Sequence, residues 1–260
     1  MRIVCIHAHP DDAEILAGGT LALLSEAGHS ITIISMTPGD GGSACHTAEQ
    51  TADIRRQEAA EAAKLIGARY DCAEFRDLAI FNTDDSRRRV TELLRSTRPD
   101  IVLTAAPVDY HCDHEVTSIL VRDACFAASV PNYATNAAEP SGPLNGIPHL
   151  YFVDSLAGVD RLGSIIEPDF VVDVKTTFET KRRMLACHAS QQEWLKKQHG
   201  IDDSLAMMER WTRDRGALVG VDFGEGYRRY AGHPYPETPL LEELLGAKVI
   251  IHDRQWGSAR

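Results

Sequence analysis

The stretch Arg2-Ile3-Val4-Cys5-Ile6-His7-Ala8-His9-Pro10-Asp11-Asp12-Ala13-Glu14 holds, in order, an apolar run, two histidines, a proline and three acids. The apolar run reads as a short strand, and the acids behind it read as a first helical turn, where the positive end of the helix dipole favours them. Leu16, Leu23 and Ala27 then keep a helical spacing as far as Gly28, a C-cap residue. Ile31 to Met36 is the next strand, so the unit is β-α-β, with parallel strands and a right-handed crossover. Gly18 and Gly19 inside the helix weaken it; close packing on the sheet or beside the turn accounts for them.

Working outward, Thr37 to Glu49 is a Gly-rich loop, Thr51 to Ile66 a helix stopped by Gly67, and Cys72 to Phe75 a weaker strand. A helix over Thr83 to Ser96 leads through Pro99 into Ile101 to Ala105, a strongly apolar strand. Val116 to Ser129 reads as a helix ended by Pro131, His149 to Val153 and Phe170 to Val174 as strands, and Thr176 to about Lys197 as one long helix before a Gly-rich tail from Arg215. The alternation predicts an α/β fold: a Rossmann-like, doubly wound, mostly parallel sheet with core order 3-2-1-4-5 and a smaller irregular C-terminal part. Residues 1–260 are expected to form one domain, with the core over 1–155 and a substrate or oligomer region over 156–260. Pro131 to Pro148 reads as a lid or subunit-contact loop.

A second cluster, His111-Cys112-Asp113-His114, follows the Ile101 strand. In a 3-2-1-4-5 sheet, strands 1 and 4 are neighbours at the point where chain direction reverses, and ligands bind in the crevice outside their carboxyl ends. The two clusters therefore fall on the two lips of one crevice. Imidazoles and carboxylates are the donors a divalent metal takes. Alone, His9-Pro10-Asp11-Asp12 reads as a capped turn, and His111 to His114 as a loop with an acid bracing one imidazole; their joint placement points to a metal site.

Composition narrows the partners. The chain is 43% hydrophobic and 25% charged, ordinary for a globular protein, and 27 basic against 38 acidic residues give a net charge of −11. That balance argues against nucleic acid or an anionic membrane surface as partner. No signal peptide or membrane-length apolar run is expected, and six cysteines without a C-x-x-C pair read as reduced thiols, so the expected location is the cytoplasm. The aromatic and proline segments Tyr235 to Leu241 and Trp256 suggest an exposed surface and a homo-oligomer.

His9-Pro10-Asp11-Asp12 with Glu14-Ile15 and Gly18-Gly19-Thr20, followed by His111-x-Asp113-His114, resembles the PIG-L/LmbE-type N-deacetylase family. Thr37-x-Gly39-Asp40, Arg55-x-x-Glu58 and Leu65-Ile66-Gly67 extend the likeness; His188 to Gln191 and the Arg215 to Tyr227 tail resemble its C-terminal part. Two departures stand out: Ala13 before Glu14, a form similar to bacillithiol-pathway members, and Cys112 where proline is common. The resemblance implies a zinc enzyme, with iron(II) as the alternative ion, that removes an N-acetyl group from an N-acetylglucosamine-type conjugate. It implies His9, Asp12 and His114 as ligands and Asp11 as general base. It also implies protonated His111 at the developing oxyanion, with Asp113 setting its tautomer and raising its pKa. Arg55, Asp40, Tyr110 and His188 are its candidate substrate contacts; against these stand a surface salt bridge of Arg55 with Glu58 and a packed His188 on an apolar helix face. Hydrolysis of another small amide, an iron(II) facial-triad oxygenase and a nucleotide-binding module are the rival readings; the last lacks G-x-G-x-x-G in its first turn.

Overall fold

A computed structural model of the chain describes residues 1–200 and 203–251. Its strands are β1 (Arg2–His7), β2 (Ser30–Ser35), β3 (Arg69–Cys72), β4 (Ile101–Thr104), β5 (His149–Val153), β6 (Phe170–Asp173), β7 (Gly224–Arg229) and β8 (Val249–Ile251). The helices are α1 (Asp12–Glu26), α2 (Ala48–Lys64), α3 (Asp84–Thr97), α4 (Cys112–Ala128), α5 (Phe178–Ala186), α6 (Ala189–His199), α7 (Ser204–Ala217) and α8 (Leu240–Leu245). The strands form one sheet in the order β3-β2-β1-β4-β5-β7-β6-β8. Every pairing from β3 to β5 is parallel, as the alternation predicts. Beyond β5 the pairings are antiparallel, with β7 inserted between β5 and β6.

Both faces of the parallel half are covered, so its strands are apolar on both sides. Ile3 and Cys5 of β1 point into one layer with Leu21 and Leu24 of α1, while Val4 and Ile6 point into the other with Leu94 of α3 and Leu120 of α4. This sandwich leaves only the strand ends free to carry polar chemistry.

The paired glycines of α1 have a packing reason. A β carbon on Gly19 would lie 2.6 Å from Cβ of Val174, and one on Gly18 would press on the side chain of Lys181 at 3.2 Å. The close approach lets Glu225 of β7 reach into α1, where its carboxylate accepts the Gly19 amide at 2.9 Å and the Thr20 amide at 2.8 Å. Lys181 of α5 meets the same carboxylate at 2.6 Å, with both side chains 1% exposed. One buried ion pair thus ties the antiparallel strands and α5 to the helix that begins with Asp12.

The structure corrects several expectations. The long helix from Thr176 breaks at Cys187 and His188 into α5 and α6. Arg215, where the Gly-rich tail begins, lies in α7, and the tail runs on into β7; α7 is capped by Asp203, whose side chain accepts from the Ala206 amide. Helix α4 starts at Cys112, so Asp113 and His114 lie in its first turn. Tyr235 and Leu241 are buried rather than exposed, and Trp256 lies outside the described residues. Among the described residues no helix is long and apolar enough to cross a membrane.

Gly19→Ala should lower stability by roughly 1–3 kcal/mol through overpacking, although alanine is the better helix former by about 1 kcal/mol. Urea unfolding checks this; an unchanged or higher midpoint contradicts the packing account.

Candidate metal centre

The turn after β1 is strained where the chemistry is densest. Asp11 has φ 104° and ψ −26°, left-handed backbone that a side-chain-bearing residue rarely adopts, and its carboxylate makes no cap to α1. Arg55 of α2 holds the turn: it is 2% exposed, donates to the Pro10 carbonyl at 2.6 Å and to the Gly39 carbonyl at 3.2 Å, and stands 3.5 Å from the Asp11 carboxylate. Burial pushes the Asp11 carboxyl up to about 6 against the pull of Arg55.

On either side of Asp11, and at the end of the neighbouring strand β4, three donors converge. His9 Nδ1 lies 3.5 Å from Asp12 Oδ2, His114 Nε2 lies 3.4 Å from the same oxygen, and the two ring nitrogens are 3.3 Å apart. Donors at about 2.0–2.1 Å from a tetrahedral ion are separated by about 3.3–3.4 Å, so the triangle has the edges of a ligand set. The far nitrogens are braced as metal-binding imidazoles require. His9 Nε2 faces Asp113 Oδ2 at 3.2 Å, and His114 Nδ1 faces Asp109 Oδ1 at 3.1 Å. Protons donated outward on those nitrogens turn both lone pairs into the triangle.

The surroundings call for positive charge. Burial disfavours protonated His9, but Asp113 and Asp12 outweigh it and push the imidazole up to about 10. His114 is raised for the same reason: burial opposes the charge, and Asp12 and Asp109 overcome it. The Asp12 carboxyl, buried too, is held far below the usual carboxylate range by His114 and His9. A divalent cation would supply that charge while both imidazoles stay neutral, so the donor set fits one.

Asp113 departs from its expected partner. It braces His9 and also accepts the Leu78 amide at 2.8 Å, whereas only its backbone N–H reaches His111, donating to Nδ1 at 3.2 Å. A ring whose Nδ1 accepts carries its proton on Nε2 and is neutral. Burial lowers the His111 pKa, and His9 and His114 lower it further, overriding Asp113. With Nδ1 accepting, His111 would present Nε2–H as a neutral donor rather than an imidazolium. Its ring stands 4.8 Å from that of His9 and 5.0 Å from that of His114, centre to centre.

The candidate substrate contacts divide. Tyr110 is 63% exposed beside the rings of His111 and His114, open to a ligand. Arg55 is buried under the turn rather than on the surface, and Glu58 instead accepts from Ser190. Asp40 is spent on the Asp77 amide at 2.8 Å and on Arg76 at 3.4 Å. His188 is fully buried, 3.5 Å from the equally buried Glu14, and cannot touch a substrate. Cys112 is exposed with its sulfur 3.9 Å from Asp113, and His7 sits buried at the end of β1, its imidazole pushed down to about 4 by burial. Sequence reasoning missed Asp109 and Asp77. Asp77 accepts from Thr37 and from the Gly41 amide, and its charge reaches His9. Neither acid belongs to a motif; loop paths bring them in.

Residues 4–125 match the family described as PIG-L, GlcNAc-PI de-N-acetylase. The matched span is 122 of the chain's 260 residues. His9, Asp12 and His114 all fall in that span. Over 198 residues the chain is 27% identical to a diacetylchitobiose deacetylase of Thermococcus kodakarensis, covering 73% of this chain and 70% of that protein. It is 25% identical over 195 residues to a 4-oxalmesaconate hydratase of Pseudomonas putida, covering 72% of each. The fold superposes on the crystal structure of an inhibitor complex of the N,N′-diacetylchitobiose deacetylase of Pyrococcus horikoshii with a TM-score of 0.73 and 26% identity, covering 92% of this chain and 88% of that one.

Nitrogen-15 NMR of the histidine rings at pH 7 should find His111 neutral with its proton on Nε2. A doubly protonated His111 at that pH contradicts the arrangement.

Proposed function

We propose that this chain is a PIG-L-type, metal-dependent hydrolase that removes the N-acetyl group from an N-acetylglucosamine-type sugar conjugate. The observation that carries the reading is the triangle of His9, Asp12 and His114 with the buried Asp11 carboxylate one residue from its edge. Three protein donors leave a fourth position open, the pattern of a catalytic site. Bound there, a zinc or iron(II) ion supplies Lewis acidity that brings the pKa of water towards about 7.

Asp11 takes the proton of the attacking water as the bond to the acetamide carbon forms. Its strained backbone keeps the carboxylate off the helix it precedes, and Arg55 fixes it at 3.5 Å without enclosing both oxygens. As negative charge grows on the acetamide oxygen, the Nε2–H of His111 donates to it; a neutral donor suffices where a cation stands close by. The leaving amine then takes a proton from Asp11, the one group in the site that has just gained one. Asp113 and Asp109 hold the two ligand imidazoles in place and touch no substrate. Tyr110, on the open side, is placed to pack against the sugar.

The hydratase relative raises a second use of the same water-activating groups, addition to a carbon–carbon double bond. A tricarboxylate such as 4-oxalmesaconate would meet the carboxylates of Asp11 and Asp12, and Arg55 beside them is already engaged by two carbonyls and Asp11. The charge pattern favours a neutral amide. Six free cysteines fit the reducing cytoplasm.

Acetate release from N,N′-diacetylchitobiose and from N-acetylglucosamine conjugates, with and without chelator, tests the reading. Activity should vanish with chelator and return with zinc or iron(II). Asp11→Asn should keep the metal and lose about 10²–10⁴ in turnover, and His111→Ala should lose about 10²–10³. His114→Ala should lose the metal, and Asp109→Asn should weaken it by about 10–100-fold. Near wild-type turnover of Asp11→Asn, or chelator-resistant activity, overturns the assignment.

A further inference from the structure

After β5 the chain leaves the sheet as a short hairpin, residues 156–166, whose tip reaches the first turn of α4. Its two arms meet at a bridge between Val159 and Ile165, and the Ile166 amide donates to the Gly158 carbonyl at 2.9 Å. Asp160 shapes the tip. Its Oδ1 accepts the Leu162 and Ser164 amides at 2.8 and 2.9 Å, and Gly163, with φ +82°, supplies the left-handed residue of the turn. At the base, Arg215 Nη2 of α7 donates to the Gly158 and Ile166 carbonyls at 3.0 and 2.8 Å. Leu162 is 86% exposed and Ile165 73% exposed, so apolar burial does not fix the tip. Polar contacts do.

Two lines of contact lead from this hairpin to Asp109, the carboxylate that braces the metal ligand His114 at 3.1 Å. At its start, the Leu156 amide donates to Asp109 Oδ2 at 3.4 Å. From its tip, Arg161 Nη2 donates to Glu115 Oε1 at 2.6 Å, and that same oxygen accepts the Asp109 amide at 2.9 Å. Exposed ion pairs add little to stability. This one differs in where it leads: the Glu115 side chain is 21% exposed against 58% for Arg161, and the oxygen that Arg161 holds is the one that fixes the backbone of the brace.

We propose that the hairpin is a strap coupled to the metal centre, with Arg161 as a positioning residue. Arg161 holds Glu115, Glu115 holds the Asp109 backbone, and Asp109 sets the ring of His114. The inference rests on the metal-centre reading and not on which amide is cleaved. His114 turns Nε2 towards the ion only while Asp109 keeps its place, as the outer partners of metal-binding imidazoles do. Without Arg161, the Glu115 carboxylate is free to turn to water, and the Asp109 amide loses its fixed acceptor. Coupling of this kind is reciprocal. An ion that fixes His114 also fixes Asp109 and Glu115, and so orders a tip whose own apolar side chains lie in solvent.

Two measurements on the intact protein test this, and neither needs turnover: zinc affinity by competition with a chromophoric chelator, and amide hydrogen exchange over residues 160–166 with and without zinc. Arg161→Ala should weaken zinc binding by about three- to tenfold, less than the roughly 10–100-fold of a direct brace. The melting temperature of its metal-free form should match that of the wild type. Arg161→Lys, which keeps the charge, should recover part of the affinity, and Leu162→Ser, at the exposed tip, should bind zinc as the wild type does. Zinc should slow exchange at the Leu162 and Ser164 amides in the wild type and not in Arg161→Ala. Equal zinc affinity of Arg161→Ala and wild type, or hairpin exchange that zinc leaves unchanged in the wild type, overturns the strap and leaves the metal centre standing. Zinc affinity that persists in His114→Ala overturns the metal-centre reading and the strap with it.

Discussion

Two carboxylates that face away from the triangle hold it together. Asp109 and Asp113 each take the outward N–H of one imidazole, and this fixes which ring nitrogen His9 and His114 turn towards Asp12. Without them both rings could rotate or change tautomer, and the donor edges of 3.3–3.5 Å would not persist. Each carboxylate is fixed in turn by backbone: Asp113 by the Leu78 amide, Asp109 by the amides of His111 and Leu156. Four separate stretches of chain thus converge on two imidazoles.

The C-terminal part takes part in that convergence. The turn after β5 delivers Leu156 to Asp109, and Glu225 of β7 clamps α1 about two turns beyond Asp12. The Glu225–Lys181 pair is fully buried, so removing either partner would leave an uncompensated charge. The antiparallel strands therefore brace the helix that presents Asp12.

Much of this was legible in the sequence because strand ends and metal ligands share a simple code. The parallel order through five strands, and the meeting of His9 and Asp12 with His114, follow from apolar runs ending in histidine and acid. The Asp113–His111 pairing failed for a geometric reason: residues two apart at a helix start point to different sides, so only the backbone amide of Asp113 reaches that ring. β7 was illegible because Gly224-Glu225-Gly226-Tyr227-Arg228-Arg229 has no apolar alternation; its glycines answer to neighbours far away in sequence. The break at His188 likewise comes from its burial against Glu14, a contact across 174 positions that no local spacing signals.

Everything chemical in the account depends on a cation at one place. Anomalous diffraction at the zinc edge from crystals grown with zinc would locate it directly. The account requires one ion per chain at about 2.0–2.2 Å from His9 Nδ1, Asp12 and His114 Nε2. An ion bound instead through His111 and Cys112, or none at this turn, would contradict it.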